Sequence, residues 1–377
     1  MRLLLVGAGH AHLEILRRQI LTPLPVELTV VSLGPLHHYS GMVPGYLQET
    51  YREEEIAVRI PALVERAGGR FVPGCAVGVD PGRRAVRLER NPDGVREVPY
   101  DLVSFAVGSN TAGVDAPEVA EAAQRVKPLE RVAALHRRLL ELARNQEPVP
   151  AVAVGGGAAG IELSLAMAAV FEKAGAEPRI TIVESGGEIL SGSSERFRIR
   201  ARKILARRGI TVRTGSRVLA VHPEEVELED GGSLPSLLTV WLTGAVSWPL
   251  FRDSGLPLDD RGFLLIDDAL RSLGDPRIFA AGDCGTLASH PKTPKAGVYA
   301  VREAPVLWES LKAAVTGGEP PRYVPQETFL SILNTGDGRA LLDYKGIVSH
   351  SRWAWRLKDW IDRRFMARYQ ELARTPR

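Results

Sequence analysis

Short apolar runs alternate with helix-spaced apolar positions along most of the chain. Leu3 to Val6 reads as a buried parallel strand, and Leu13, Ile15 and Leu16 open a helix behind it. A second strand is predicted over Leu28 to Val31. Arg84 to Leu88 and Val95 to Val98 flank Asn91-Pro92-Asp93-Gly94, the signature of a hairpin, and Leu102 to Val107 then runs apolar into Gly108-Ser109. After a polar, helical passage over about 115–147 the series repeats. Ala151 to Val154 predicts a strand, Ile161, Leu163 and Leu165 a helix, and Ile180 to Val183 the next strand. A hairpin is predicted around Glu229-Asp230-Gly231-Gly232, and Leu238 to Leu242 ends in Thr243-Gly244. Such alternation predicts an α/β chain with two Rossmann-like three-layer halves. The run Ile278 to Ala281, ending in Gly282-Asp283, predicts a return to the first half. The expected units are 1–112 with 265–325, then 113–264, and a smaller C-terminal segment, 326–377.

What lies between strand and helix gives each half its chemistry. Gly7-Ala8-Gly9-His10-Ala11-His12 follows the first strand, and Gly155-Gly156-Gly157-Ala158-Ala159-Gly160 follows its counterpart. The first glycine of such a turn permits a tight bend, and the second lets backbone N–H groups approach a pyrophosphate at a helix N-terminus. The third permits close packing of helix on strand. Two such turns in one chain suggest electron transfer between two bound dinucleotides. Glu184 ends the strand after the second turn, where a carboxylate hydrogen-bonds a ribose 2′-OH and repels a 2′-phosphate, favouring NADH over NADPH. The first turn departs from the pattern twice: His12 replaces the third glycine, and Ser32 replaces the acid.

Composition narrows the classes. A chain of 377 residues has room for two cores, and a formal charge of +3 is too small to imply nucleic acid. No apolar stretch reaches the roughly 18–20 residues of a membrane-spanning helix. Met1-Arg2 leads straight into a strand, unlike a signal peptide. Two cysteines, Cys75 and Cys284, argue for a reducing compartment. The expected location is the cytoplasm, with any membrane contact peripheral, on the inner face of the cell membrane.

Further candidates lie outside the glycine turns. Gly282-Asp283 ends a buried strand, where the carboxylate would meet a flavin ribityl hydroxyl or a phosphate-side water, or where the pair is simply a Gly-Asp turn. Thr293-Pro294-Lys295-Ala296-Gly297-Val298 opens a helix running to about Thr316, whose N-terminus would favour the charge of a reduced flavin. Lys295 would add a positive charge or relay a proton there, or would simply be an exposed lysine. The loop His37-His38-Tyr39-Ser40-Gly41-Met42-Val43-Pro44-Gly45 has the composition of a segment lying against a flat ring; no proton-transfer role is assigned to its histidines. Glu162 sits in the first turn of the second helix, either near a nicotinamide or acceptor or as a favourable partner of the helix dipole. Metal ligands at suitable spacing are missing, as is any Cys-x-x-Cys dithiol. In the last 25 residues Trp353, Leu357, Trp360, Ile361, Phe365, Tyr369 and Leu372 recur at helical spacing among arginines, predicting one broad apolar face. A membrane surface over 351–374, the protein body and a second subunit are the alternatives for what covers it.

With these residues assembled, the chain resembles the two-dinucleotide flavoproteins of the pyridine nucleotide–disulfide oxidoreductase type, with their glutathione-reductase-like fold. It is most similar to their type II NADH dehydrogenase and sulfide:quinone oxidoreductase branch. Within that branch it looks like a subgroup also found fused in front of selenophosphate synthetase domains. The shared marks are the His-Ala-His first turn, the 39–45 loop, Pro294 to Arg302 and Ile361 to Met366. The resemblance implies FAD contacts at Gly7, Gly9, His10, Ala11, Ser32, Ser40, Gly41, Met42, Val43, Pro44, Ala76, Gly108, Gly282, Asp283, Lys295 and Ala296. It implies NADH contacts at Gly155, Gly157, Gly160, Glu162, Glu184 and Gly244. Selenium chemistry is not expected of the chain itself.

The expected activity is that of an FAD-dependent NADH dehydrogenase passing electrons to a quinone or similar small acceptor, with Lys295 and Glu162 as catalytic candidates. A sulfide:quinone oxidoreductase-like enzyme is less favoured, because Cys284 adjoins the flavin aspartate and Cys75 lies on the adenine side. A slow-turnover flavin-binding protein devoted to partner recognition is the alternative from another class. A homodimer is left open.

Overall fold

In a computed structural model that describes residues 1–89, 91–144 and 148–374, the two glycine turns occupy equivalent places in two similar sheets. Each sheet has five parallel strands with the glycine-turn strand at its centre. The first is ordered Ile278–Ala280, Leu102–Phe105, Arg2–Val6, Glu27–Ser32, Arg70–Pro73. The second is ordered Gln124–Arg125, Leu238–Trp241, Val149–Val154, Pro178–Glu184, Thr211–Thr214. Central strands are covered on both faces and so are almost wholly apolar: Leu3, Leu4, Leu5 and Val6 in one half, Ala151 to Val154 in the other, are all buried. Each half adds a three-stranded antiparallel sheet, at 75–99 and 218–235, and these contain the two predicted hairpins.

The return to the first half is seen in register, with Ile278 opposite Val103 and Ala280 opposite Phe105. It begins before residue 265. Leu250, Phe251 and Leu256 already pack in the first core, and Phe251 meets Phe105 edge-on at 5.0 Å. The polar passage over 115–147 is also more varied than its pattern. It holds a helix, Val132–Ala143, and the two-residue strand Gln124–Arg125 at the edge of the second sheet. A strand so short leaves no periodicity to read. Residues 145–147 of that passage and 375–377 of the terminal segment lie outside the described residues.

The C-terminal segment is an antiparallel meander, Ser331–Asn334, Ala340–Tyr344 and Ile347–Ser351, followed by the helix Arg352–Arg374. That helix does not bury the single apolar face expected of it. Ala354, Lys358, Asp362, Phe365, Met366 and Tyr369 turn inward, while Trp353 and Trp360 are 61% and 57% exposed. The arc is rotated because Lys358 and Asp362 neutralise each other at 3.0 Å and the Lys358 ammonium donates to Gly41 O at 2.8 Å. Paired and hydrogen-bonded in this way, charges become admissible in an interior.

Candidate active site

The two glycine turns share a hydrogen-bond plan. Gly7 N–H donates to Val31 O, and Gly155 N–H to Val183 O, both at 2.8 Å, so each turn leans on the neighbouring strand. Gly7 has φ +83°, and a Cβ there would lie 2.5 Å from Ala106 O. A Cβ on Gly160 would lie 1.9 Å from Gly155 O, so the second helix can pack this close only with glycine at that position. In the first half His12 performs the closure differently. Its Nδ1 donates to Gly7 O at 2.5 Å, and its Nε2 accepts from Ser104 Oγ at 2.9 Å. Burial pushes its pKa down to about 4, which fixes the neutral ring.

The cradles suit the dinucleotides named for them. The helices beginning at His10 and Ala158 aim their N-termini at the turns and carry no acidic residue in their first turn; because the second helix starts at Ala158, Glu162 opens its second turn rather than lying in the first as expected. Around the first turn, His10 Nε2 and His37 Nε2 are buried with no hydrogen-bond partner among the described residues. Burial drives both imidazoles toward the neutral form, His10 to about 4 and His37 well below its ordinary value. Uncharged ring nitrogens in that place fit a polar, phosphate-bearing ligand that would satisfy them. In the second half Glu184 accepts from Gly156 N–H and from Gly186 N–H, each at 2.7 Å, so the carboxylate is anchored at the turn.

Where the two halves and the C-terminal segment meet, four ionisable groups from three segments gather. Glu162 accepts from Asn334 N–H at 2.7 Å. It is half-buried, and desolvation raises its pKa to about 7 against the opposing pull of Lys358. Asp362, hydrogen-bonded to Tyr39 and to Lys358, is also raised by burial, and Lys358 is held protonated by Asp362 and Glu162. The 39–44 loop therefore forms one wall: Tyr39 contacts Asp362, Gly41 O accepts from Lys358, and Met42, Val43 and Pro44 are buried beneath. Ser40 is exposed.

Two such cradles in one chain can be compared with known proteins. The family model for pyridine nucleotide-disulphide oxidoreductases matches residues 1–304. The chain belongs to that family. It is 30% identical over 331 residues to a demethylphylloquinone reductase of Synechocystis, covering 86% of this chain and 80% of that protein. It is 25% identical to a probable NADH dehydrogenase of Dictyostelium discoideum, covering 93% and 84%. By fold it is similar to the sulfide:quinone oxidoreductase of Aquifex aeolicus, with a TM-score of 0.83, 17% identity and coverage of 98% and 92%. It is similar also to the NDH2 of Plasmodium falciparum in complex with NADH, with a TM-score of 0.80, 14% identity and coverage of 98% of both chains.

In this member of the family the remaining candidates divide by place. Asp283 lies in the short 3-10 turn Gly282–Cys284, beside the helix Gly297–Thr316. Lys295 is engaged within the protein: its ammonium donates to Gly285 O and to Thr286 Oγ1, and lies 4.2 Å from the centre of the Phe263 ring. It therefore braces the Gly285–Leu287 strand from below. Ser32 is buried and its carbonyl accepts from Gly74 N–H, which joins the first strand pair to the 75–80 strand bearing Ala76. Gly244 O accepts from Ala112 N–H where the chain crosses between halves, and Gly108 follows the strand Leu102–Phe105. Cys284 is buried, its thiol pushed up to about 11 by burial, and Cys75 stands apart from that turn in the 75–80 strand, half-buried. Among the described residues no group of three or more potential metal ligands occurs.

Sequence reasoning missed Tyr39 as a partner of Asp362, and missed Lys358, Asp362 and Asn334 altogether. Lys358 and Asp362 had a signal, an i,i+4 pair of opposite charge inside an amphipathic helix. It reads as a surface pair until the helix is docked. Glu303 was missed too: it is buried two turns into the helix Gly297–Thr316, accepts from Gly282 N–H at 2.5 Å, and is raised to about 7 by burial.

Proposed function

We propose that this chain is an FAD-dependent NADH:quinone oxidoreductase. The observation that carries the reading is the pairing of two dinucleotide cradles with the Glu162 cluster at the seam between them. FAD bound in the first cradle would supply two-electron chemistry between a nicotinamide donor and a quinone acceptor. The residues of the chain bind, orient and manage protons. Glu184, anchored at the second turn, selects the 2′-hydroxyl nucleotide. Reducing a quinone with NADH consumes one proton beyond the hydride equivalent, and Glu162, its carboxyl raised to about 7, can take up and release a proton near neutral pH. Burial sets that proton affinity, Lys358 lowering it and Asp362 raising it, and Tyr39 ties the pair to the loop over the first cradle. Lys295 contributes by holding the loop after Asp283 rather than by passing a proton.

The sulfide-oxidising alternative is disfavoured by the cysteines, since a buried thiol raised to about 11 is a poor nucleophile and its only counterpart stands apart in the 75–80 strand. Anaerobic stopped-flow absorbance tests the reading directly. Rapid bleaching of the flavin by NADH, slow bleaching by NADPH and none by sulfide are expected. Bleaching by sulfide alone overturns the assignment, and a flavin that no donor reduces favours the partner-recognition protein.

No helix among the described residues is long and apolar enough to cross a membrane. The exposed face of the terminal helix supports a peripheral membrane contact. Trp353 and Trp360 stand there with Arg356 and Arg364, and the Arg364 guanidinium lies 5.4 Å from the Trp360 ring. Tyr344 and Ile347 are exposed at the hairpin turn of the preceding meander, and a groove of about 480 Å³ lies where Arg196, Ile199, Arg200 and Lys203 meet Val348. Apolar side chains interleaved with cations are what an anionic lipid surface binds. Sedimentation with vesicles containing anionic lipid is expected, with loss of binding in a Trp353→Ala, Trp360→Ala double variant. Equal partition of both proteins would remove the membrane from the proposal.

A further inference from the structure

Lys127 is a residue of the second half with its charge in the first. It follows the edge strand Gln124–Arg125 of the nicotinamide-side sheet. Its Nζ donates to Ser109 Oγ at 2.7 Å and lies 3.6 Å from Asp283 Oδ2. Ser109 Oγ in turn donates to the same Asp283 oxygen at 2.8 Å. Ser109, 3% exposed, follows the strand Leu102–Phe105, and Asp283 occupies the turn after Ile278–Ala280. The chain Lys127–Ser109–Asp283 thus spans the boundary between the halves and ends on the carboxylate assigned to the flavin. We infer that Lys127 is a positioning residue of the flavin site, orienting Asp283 for the ribityl chain and coupling the seating of FAD to the placement of the nicotinamide half.

The inference rests on the reading of the first cradle as an FAD site. A carboxylate free to rotate pays an ordering cost each time it accepts from a ligand hydroxyl; one already fixed by a serine and an ammonium does not. Charge gives Lys127 a second effect. The groups facing Asp283 offer it little compensation: Glu303 is acidic, Lys295 is positive but occupied at Gly285 O and Thr286, and His10 is neutral. Removing Lys127 leaves the Asp283 carboxylate with less compensation beside a cofactor that gains negative charge on reduction. The loss should make the flavin midpoint potential more negative.

The test uses the purified holoprotein. FAD release on dilution is followed by the rise of free-flavin fluorescence, and the midpoint potential is read by dye equilibration. Lys127→Met is expected to weaken FAD binding about tenfold, the scale of one hydrogen bond to a charged group, and to lower the potential. Lys127→Arg should recover most of both, and Ser109→Ala should show a smaller loss because the Lys127–Asp283 pair survives. Lys127→Met with wild-type FAD affinity and potential overturns the inference, as does a fall in melting temperature with neither changed. Neither readout involves NADH or an acceptor, so failure of the donor assignment would be seen separately.

Discussion

The two glycine-turn helices carry a glutamate at the same position, two residues beyond His12 in one and two beyond Gly160 in the other, with different neighbours. Glu14 accepts from Arg17 at 3.1 Å and from Arg18 at 2.9 Å, both on its own helix, and is touched by Tyr369. Among the described residues Glu162 has no arginine against it; it meets a backbone N–H, Lys358 at a distance, and the acidic Asp362. The first carboxylate has two fixed cations and serves the packing of its helix. The second keeps a proton near neutral pH at a junction of three segments. Equal positions in a repeated fold therefore do not imply equal roles, and what separates them is the local supply of counter-charge.

The third glycine position offers the sharpest break. Gly160→Ala forces a Cβ onto Gly155 O, a backbone atom that cannot yield cheaply. A loss of about 3 kcal/mol in stability is expected, with NADH-dependent flavin reduction down at least about a hundredfold and FAD still bound. Wild-type reduction rates would mean that the helix is not held by this contact. Glu162→Gln comes next. A carboxyl raised from 4.5 to about 7 contributes stability that is full below about pH 4.5 and is lost as pH rises through 7. The wild type should therefore lose up to about 3 kcal/mol across that window, less for the part of Glu162 that reaches solvent, and the Gln variant should not. Melting temperatures at pH 5 and pH 8 decide it, parallel slopes in the two proteins being the outcome that removes the proton from Glu162.

His12 sharpens the same comparison from the other side. His12→Ala deletes two hydrogen bonds and strands Ser104 Oγ and Gly7 O in a buried place. A cost of about 2 kcal/mol is expected, together with weaker FAD retention and unaltered NADH binding. His12→Gly, restoring the usual pattern, should be no better, because the space here is filled by a ring.

Much of this was legible beforehand, for definite reasons. Central strands are buried on both faces, so Leu3 to Val6 and Ala151 to Val154 show as unbroken apolar runs. The glycine turns show because their backbone geometry excludes other residues. The 37–45 loop stands out by its odd composition, and it packs against Lys358 and Asp362. What was hidden depends on contacts between distant segments. Trp353 and Trp360 look like core residues until Lys358 and Asp362, stabilised by Gly41 O and Tyr39 far back in the chain, claim the inward face. Lys127 looks like any lysine until a two-residue strand places it 3.6 Å from Asp283.

The smallest expected effect concerns the strand ends. Glu184 and Ser32 occupy equivalent places, yet only Glu184 reaches its own glycine turn, through Gly156 N–H. If that anchoring sets nucleotide choice, Glu184→Ala should lower kcat/KM for NADH and raise it for NADPH. The combined change in their ratio should be about tenfold, the value of one hydrogen bond exchanged for a relieved repulsion. Ser32→Ala should leave the ratio untouched. A Glu184 variant with the wild-type ratio would make its carboxylate a brace for the turn alone, and both strand ends would then be structural, with preference for NADH arising elsewhere in the second half.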